Sequence, residues 1–142
     1  MARLLAALCL LLAIGTGAPA SAQPVSPDDA HAARAIVGAQ LEAFASDDAK
    51  RAFSYAAPAI REMFGTPERF LAMVRAGYPA IYRASGVTFL IPLRVQGQLF
   101  QGVHLTDAAG VLWLATYRLE RQADGSWRIA GCELQPASGQ II

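Results

Sequence analysis

Few side chains in this sequence are of the types needed for acid–base or nucleophilic work, and their spacing decides what they could do. The stretch "GCEL" near the C-terminus carries Cys132 and Glu133, with His104, Trp113 and Tyr117 upstream. Tyr78 and Tyr82 stand four apart in "AGYPAIYR", the spacing of one helix face. A carboxylate desolvated beside a phenol can act as a general base, because burial raises its pKa toward neutrality. Glu133 with Tyr117 or Tyr82 is the acid–base pairing that this sequence offers. The plainer reading of Glu133 is a carboxylate at an open rim, in water or answering an arginine. His104 and Cys132 would form a nucleophilic pair only as neighbours, and in an up-and-down sheet the strand of Tyr117 holds them about 10 Å apart. Cys132 then reads as a small buried hydrophobe. With His31 the only other histidine, no metal-ligand set is assembled and no cofactor is implied. No G-x-S-x-G, phosphate-cradling glycine loop or paired-carboxylate spacing occurs.

The elements that must position these groups begin after an export signal. One positive charge at Arg3, an apolar run over residues 4–14 and the small-x-small ending Ala20-Ser21-Ala22 read as a signal peptide, residues 1–22, cut before Gln23. Its apolar part is too short for a comfortable membrane span. Residues 23–142 are a usual size for one domain. Without Arg3 the chain carries eleven basic and eleven acidic residues, and it has no basic block, which argues against nucleic acid and anionic membranes as partners. Cleavage also removes Cys9, so Cys132 has no partner for a disulfide and stability must come from packing. Eleven arginines to one lysine, with abundant alanine, resemble a GC-rich bacterial coding bias and so a periplasmic setting.

Ser26 as N-cap, Pro27 at the first helical position and Asp28 and Asp29 in the first turn start a helix. Its apolar positions recur at three-and-four spacing through Ala33, Ile36, Val37, Gln40, Leu41 and Phe44. "AKRAFSYA" predicts a short second helix stopping before Pro58, and "PAIREMFG" adds about one and a half turns closed by Gly65. "PERFLAMVRAGYPAIYR" predicts the third substantial helix, kinked at Pro79. From Val87 the period becomes two, predicting strands over 87–95, 99–106, 111–121 and 126–135. Helices first and strands afterwards predict an α+β domain: three N-terminal helices packed on a curved four-stranded antiparallel meander.

The last hairpin sets the faces. A two-residue loop at Asp124-Gly125 would oppose Arg121 to Arg128. A three-residue loop with Gly125 left-handed instead pairs Glu120 with Arg128, Leu119 with Ile129 and Arg121 with Trp127. On that register Trp113, Ala115, Tyr117, Leu119, Trp127, Ile129 and Glu133 face the helices. Leu112, Leu114, Thr116, Arg118, Ala130, Cys132 and Leu134 face away. By the same turn logic at Asp107 to Gly110, His104 falls opposite Leu114 on the outer face. The apolar outer patch predicts a two-fold homodimer formed sheet to sheet, unless the tail "QPASGQII" folds back with Ile141 and Ile142 over it.

Three helices, a curved meander and the closing D-G-x-W-R-I of Asp124, Gly125, Trp127, Arg128 and Ile129 resemble the nuclear-transport-factor-2-like, or cystatin-like, fold. "QLEAFASDDAKRAFSYAAPAI", "MFGTPERFLAMVRAGYPAIYR" and "WRIAGC" together resemble the bacterial domain of unknown function 4864 family over nearly the whole mature chain. The family resemblance implies the fold and an exported bacterial setting, and brings no catalytic residues with it. The broader fold hosts isomerases, dehydratases and polyketide cyclases as well as binding modules, so fold alone does not choose. Tyr78, Tyr82, Trp113, Tyr117 and Glu133 are the residues expected to line a pocket for a small apolar or aromatic ligand, with plain core as the competing reading of the aromatics. The leading expectation is an exported, non-catalytic binding or interaction domain. The alternative is a small isomerase-, dehydratase- or cyclase-like enzyme using Glu133 and a tyrosine.

Overall fold

The computed structural model describes residues 17–137; most of the expected signal peptide and the end of the C-terminal tail lie outside them. Helix α1 spans Pro27–Ala45, and the Ser26 hydroxyl accepts the Asp29 N–H at 3.1 Å as the cap that the sequence predicts. Its buried stripe is Ala33, Val37, Gln40, Leu41 and Phe44. Asp48 caps α2, Ala49–Ser54, by accepting the Arg51 N–H. Helix α3, Pro58–Phe64, has no side-chain cap, buries no residue and ends at Gly65 with φ +75°. Helix α4, Pro67–Gly77, buries Phe70, Leu71 and Val74 and is followed by α5, Pro79–Tyr82. The expected kink at Pro79 is therefore a break. The residue before a proline is pushed out of helical geometry, and Tyr78 sits at φ −135°, ψ 59°.

All strands form one antiparallel sheet in the order β1 (Gly86–Phe89), β3 (Gln98–Thr106), β4 (Leu112–Arg121), β5 (Trp127–Pro136), with β2 (Leu93–Val95) also on β3. The expected strand over 87–95 is thus two pieces on the same partner, Phe89 opposite Val103 and Leu93 opposite Phe100. Pro92 has no N–H to give a ladder, and the chain crosses β3 closely here. The Leu90 N–H reaches the Gly102 carbonyl at 2.9 Å, where a Cβ on Gly102 would stand 3.0 Å from Leu90 Cδ1.

The β3–β4 and β4–β5 hairpins have the predicted three-residue form. Gly110 and Gly125 have φ +81° and +85°, the Gln122 N–H donates to the Ser126 carbonyl, and Glu120 opposes Arg128. His104 opposes Leu114 on the outer face, as the turn logic predicts. Beyond Ile129 the expected register fails. Leu119 pairs with Ile129 but Arg118 pairs with Gly131, so Ala130 is an extra residue, a β-bulge. Past it Cys132 opposes Tyr117 and Leu134 opposes Ala115, and both side chains pack against the core. Glu133 opposes Thr116 and is exposed, correcting its expected inward facing. The bulge is held from both sides. The Arg118 guanidinium donates to the Ala130 carbonyl at 3.0 Å, while Ile129 donates to the Tyr55 carbonyl at 2.8 Å and accepts the Ala57 N–H at 2.7 Å.

The helices cover one face of the sheet, where Val37 and Phe44 meet a core that includes Leu99, Val103, Tyr117, Leu119 and Trp127. At the edge of that core lies the buried carboxylate of Asp29. It accepts the Trp127 indole N–H at 3.0 Å and is bridged by Arg121 at 3.3 Å and by Arg94. Both guanidiniums also lie over the Trp127 ring, at 5.2 Å and 5.8 Å. The indole hydrogen bond, with Ser26 and the two arginines, holds the Asp29 carboxyl below its ordinary value against the opposing effect of burial. A depressed folded-state pKa contributes stability that is present above the unfolded value, about 3.9, and is lost as pH falls through the folded one. Asp29→Asn should therefore cost about 1–3 kcal/mol at neutral pH, from charge-assisted hydrogen bonds lost at a buried site. The gap to the parent should narrow below about pH 4. Urea melts from pH 7 down to pH 2 check this; a gap independent of pH would mean the carboxylate is not ionised in the fold.

Candidate functional site

Where β4 and the bulged part of β5 run under α3 and α4, packing is incomplete and a half-open cavity of about 270 Å³ remains. Its floor is sheet: Tyr117, Ile129 and Cys132, with the backbone of Ala130 and Gly131 beside them. Gln40 and Phe44 of α1 close one side, and Phe70, Met73 and Val74 of α4 another. Ile60, Met63 and Phe64 of α3 form the roof, with Met63 three-quarters exposed at the mouth. Phe70 stacks at a tilt on Phe44, Phe53 and Phe64, with centroids 5.5–5.8 Å apart, which stiffens the wall between α3 and α4.

Two groups set the chemistry of the floor. The Tyr117 hydroxyl is closed off from solvent and has no hydrogen-bond partner among the described residues. Burial, reinforced by the neighbouring Cys132 thiol, pushes it well above the ordinary phenol value. Burial likewise pushes the Cys132 thiol up to about 12, opposed by its contact with the Tyr117 hydroxyl, and its sulfur also makes a long 3.8 Å approach to the Glu133 carbonyl. Both groups are neutral at physiological pH. A thiol so raised is a poor nucleophile, since the thiolate is the reactive form.

The five residues expected to share a pocket are divided. Tyr78 and Tyr117 line this cavity. Trp113 lies in a smaller depression of about 200 Å³ that also touches Tyr78 and Leu134, and its indole N–H donates to Asp107 Oδ2 at 2.9 Å. Tyr82 is turned to the surface, where its hydroxyl donates to Asp47 and Arg83 and Arg75 pair with the same carboxylate at 2.9 and 3.4 Å. The Tyr82 hydrogen bond is the chief cause holding Asp47 below its ordinary pKa. Glu133 stands across the sheet from the cavity. The bulge thus keeps Glu133 from Tyr117, and Asp47 engages Tyr82, so the acid–base pairing is not assembled. Cys132 and His104 lie on opposite faces, so they form no nucleophilic pair either.

The outer face changes as well. Cys132 and Leu134 leave it, and Glu133 takes a place beside Leu112, Leu114 and Ala130; Arg118 and Glu120, ion-paired at 2.9 Å, border the remaining apolar area with Arg128. Missing from the expected site were Gln40, Met73 and the α3 residues, which helical periodicity marks only as core. Gly131, a glycine inside a strand, was the available signal for the bulge that builds the floor.

An unpaired buried hydroxyl is a net cost in the unliganded protein. Tyr117→Phe should leave the fold as stable or more stable by about 1 kcal/mol. Thermal melts of the two proteins decide it, and a loss of 1 kcal/mol or more would show that the hydroxyl is bonded in the resting state.

No curated protein and no solved structure matches the chain. A family model described as a domain of unknown function, DUF4864, matches residues 26–142, which takes in every helix and strand described above. The chain belongs to the DUF4864 family.

Proposed function

We propose that this protein is an exported, non-catalytic domain that holds a small apolar ligand in the cavity between α3, α4 and the bulged end of β5. The observation that carries this reading is the half-open cavity itself, about 270 Å³ and lined without a charged side chain. Dry apolar cavities of about 150 Å³ accept benzene, so this space suits a body of one or two rings or a short alkyl chain. The roof supports entry. Helix α3 buries no residue and lacks a side-chain cap, which makes it the most weakly anchored wall of the cavity. The enzyme alternative loses support because Glu133 stands on the far face of the sheet. Helices gathered over one face of an antiparallel sheet agree with the nuclear-transport-factor-2-like cone, which is the fold we assign.

Export is supported by residues 17–23. Residues 17–22 are exposed and form neither helix nor strand, whereas the Gln23 N–H donates to the Arg94 carbonyl at 2.7 Å on the edge of β2. Among the described residues, the first bond to the sheet falls just after the expected cleavage point. Intact mass measured on protein expressed in a bacterial host with its own leader should correspond to a chain starting at Gln23; a mass retaining Met1 would refute export.

The ligand reading is tested with N-phenyl-1-naphthylamine, a neutral dye that brightens in apolar surroundings. It should bind the purified protein saturably with micromolar Kd, and Met73→Trp, which fills the cavity from α4, should weaken it about tenfold or more while costing about 1–3 kcal/mol of stability. Saturable binding unaffected by Met73→Trp would place the dye elsewhere and end this proposal.

A further inference from the structure

We infer that the free edge of β5 between the bulge and Pro136 takes an extended peptide segment as an added antiparallel strand, with a basic residue opposite Glu133 and an apolar side chain beside Cys132. The backbone carries this. β5 is the last strand of the sheet, so those of its groups that do not reach β4 face outward. Ile129 is one such residue: its N–H donates to the Tyr55 carbonyl at 2.8 Å and its carbonyl accepts the Ala57 N–H at 2.7 Å. Further along, the Ala137 N–H donates to the Leu112 carbonyl, so Ala137 faces β4. Counting back by alternation, Gln135, Glu133 and Gly131 also face β4, while Cys132 and Leu134 turn N–H and carbonyl outward. No segment among the described residues bonds to these two as Tyr55 and Ala57 do to Ile129. The bulge at Ala130 closes this stretch at one end, and Pro136, with no N–H to give, closes it at the other. What remains suits one short segment.

The side chains say what that segment carries. Opposed residues in an antiparallel pair share a face. Cys132 packs against the core and lines the cavity, so the residue opposite it sends its side chain toward the space under α3. Glu133 is exposed on the other face and forms no ion pair with any described residue. A lysine or arginine opposite it answers that charge. The same charge argues against a second copy as the occupant. With only Cys132 and Leu134 free, two β5 edges related by a two-fold axis would pair Cys132 with Leu134 and oppose Glu133 to its own copy. Main-chain bonds supply the affinity of such strand addition, and pockets for alternate side chains supply its selectivity. The inference shares the cavity with the small-ligand reading but rests on backbone geometry, not on that reading.

Fluorescence polarisation of the labelled peptide Thr-Val-Lys-Phe-Thr with the purified protein tests it; antiparallel addition sets its lysine opposite Glu133 and its phenylalanine opposite Cys132. We expect saturable binding with a Kd of about 100 µM or tighter. N-methylation of the phenylalanine removes an N–H aimed at β5 and should weaken binding about tenfold or more, whereas N-methylation of the lysine, whose N–H faces solvent, should change it less than about twofold. Glutamate in place of the lysine should weaken binding about fivefold. No saturable binding up to about 1 mM, or two N-methylated peptides that bind alike, overturns the inference. N-phenyl-1-naphthylamine that binds while the peptide does not leaves the cavity reading intact, and a peptide that binds with the expected pattern while the dye does not upholds this inference without it.

Discussion

Side chains of a strand alternate between two faces, so one inserted residue reverses the facing of everything beyond it. Ala130 is that residue, and the character of this protein's interior follows from it. With strict alternation Glu133 would lie under the helices, on Tyr117's face, and Cys132 and Leu134 would lie outside. The bulge exchanges them. An ionisable group leaves the interior, a thiol and a leucine enter, and the strand departs locally from β4, so that its backbone at Ala130 and Gly131 becomes cavity wall. Just before the bulge, the backbone groups of Ile129 face the free edge of β5, where Tyr55 and Ala57 of the segment between α2 and α3 bond to them. The roof is thereby anchored at its base beside the floor that the bulge shapes.

The opposite end of the core is organised by a carboxylate. A buried indole N–H needs an acceptor, and Asp29 provides it from the first turn of α1, 98 residues away in sequence. Arg94 from β2 and Arg121 from β4 neutralise the charge while stacking on the same ring. Three strands and the first helix converge on one group. Asp29 also sits where the helix dipole favours negative charge, so helix start and tertiary anchor coincide in a single residue. Well-determined packing at this end contrasts with the looser α3 end, and that contrast locates the cavity.

How far the sequence revealed this depended on whether the information was local. The cap at Ser26 and the left-handed glycines at Gly110 and Gly125 act within a few residues, and they were legible. Hairpin register followed from charge and apolar pairing across one turn, and it held as far as Ile129. Beyond that point a period-two count cannot register an extra residue, although Gly131 marked the place. Pro79 was visible as a breaker, but whether a proline kinks or cuts depends on what packs beside it, and Pro92 was passed over within the strand expected at 87–95. The Asp29 cluster was invisible to spacing, because residues 29, 94, 121 and 127 meet only in the fold. Of the candidate site, Tyr78 and Tyr117 were legible as inward aromatics; Gln40 was counted among the helix's core positions, and its hydrogen-bonding role required knowing that Ala52 lies across from it.

Several departures from ordinary folding rules border the cavity: a glycine within a strand, an uncapped helix that buries nothing and a helix broken before Pro79. Others lie elsewhere, as with the buried Arg94 Nε that has no partner and the positive φ of Asp47 and Gln96. A larger side chain at Ala56 would have filled part of the cavity. Small residues beside a weakly anchored helix are what the proposed ligand site requires, whereas packing for stability alone would favour closing the space.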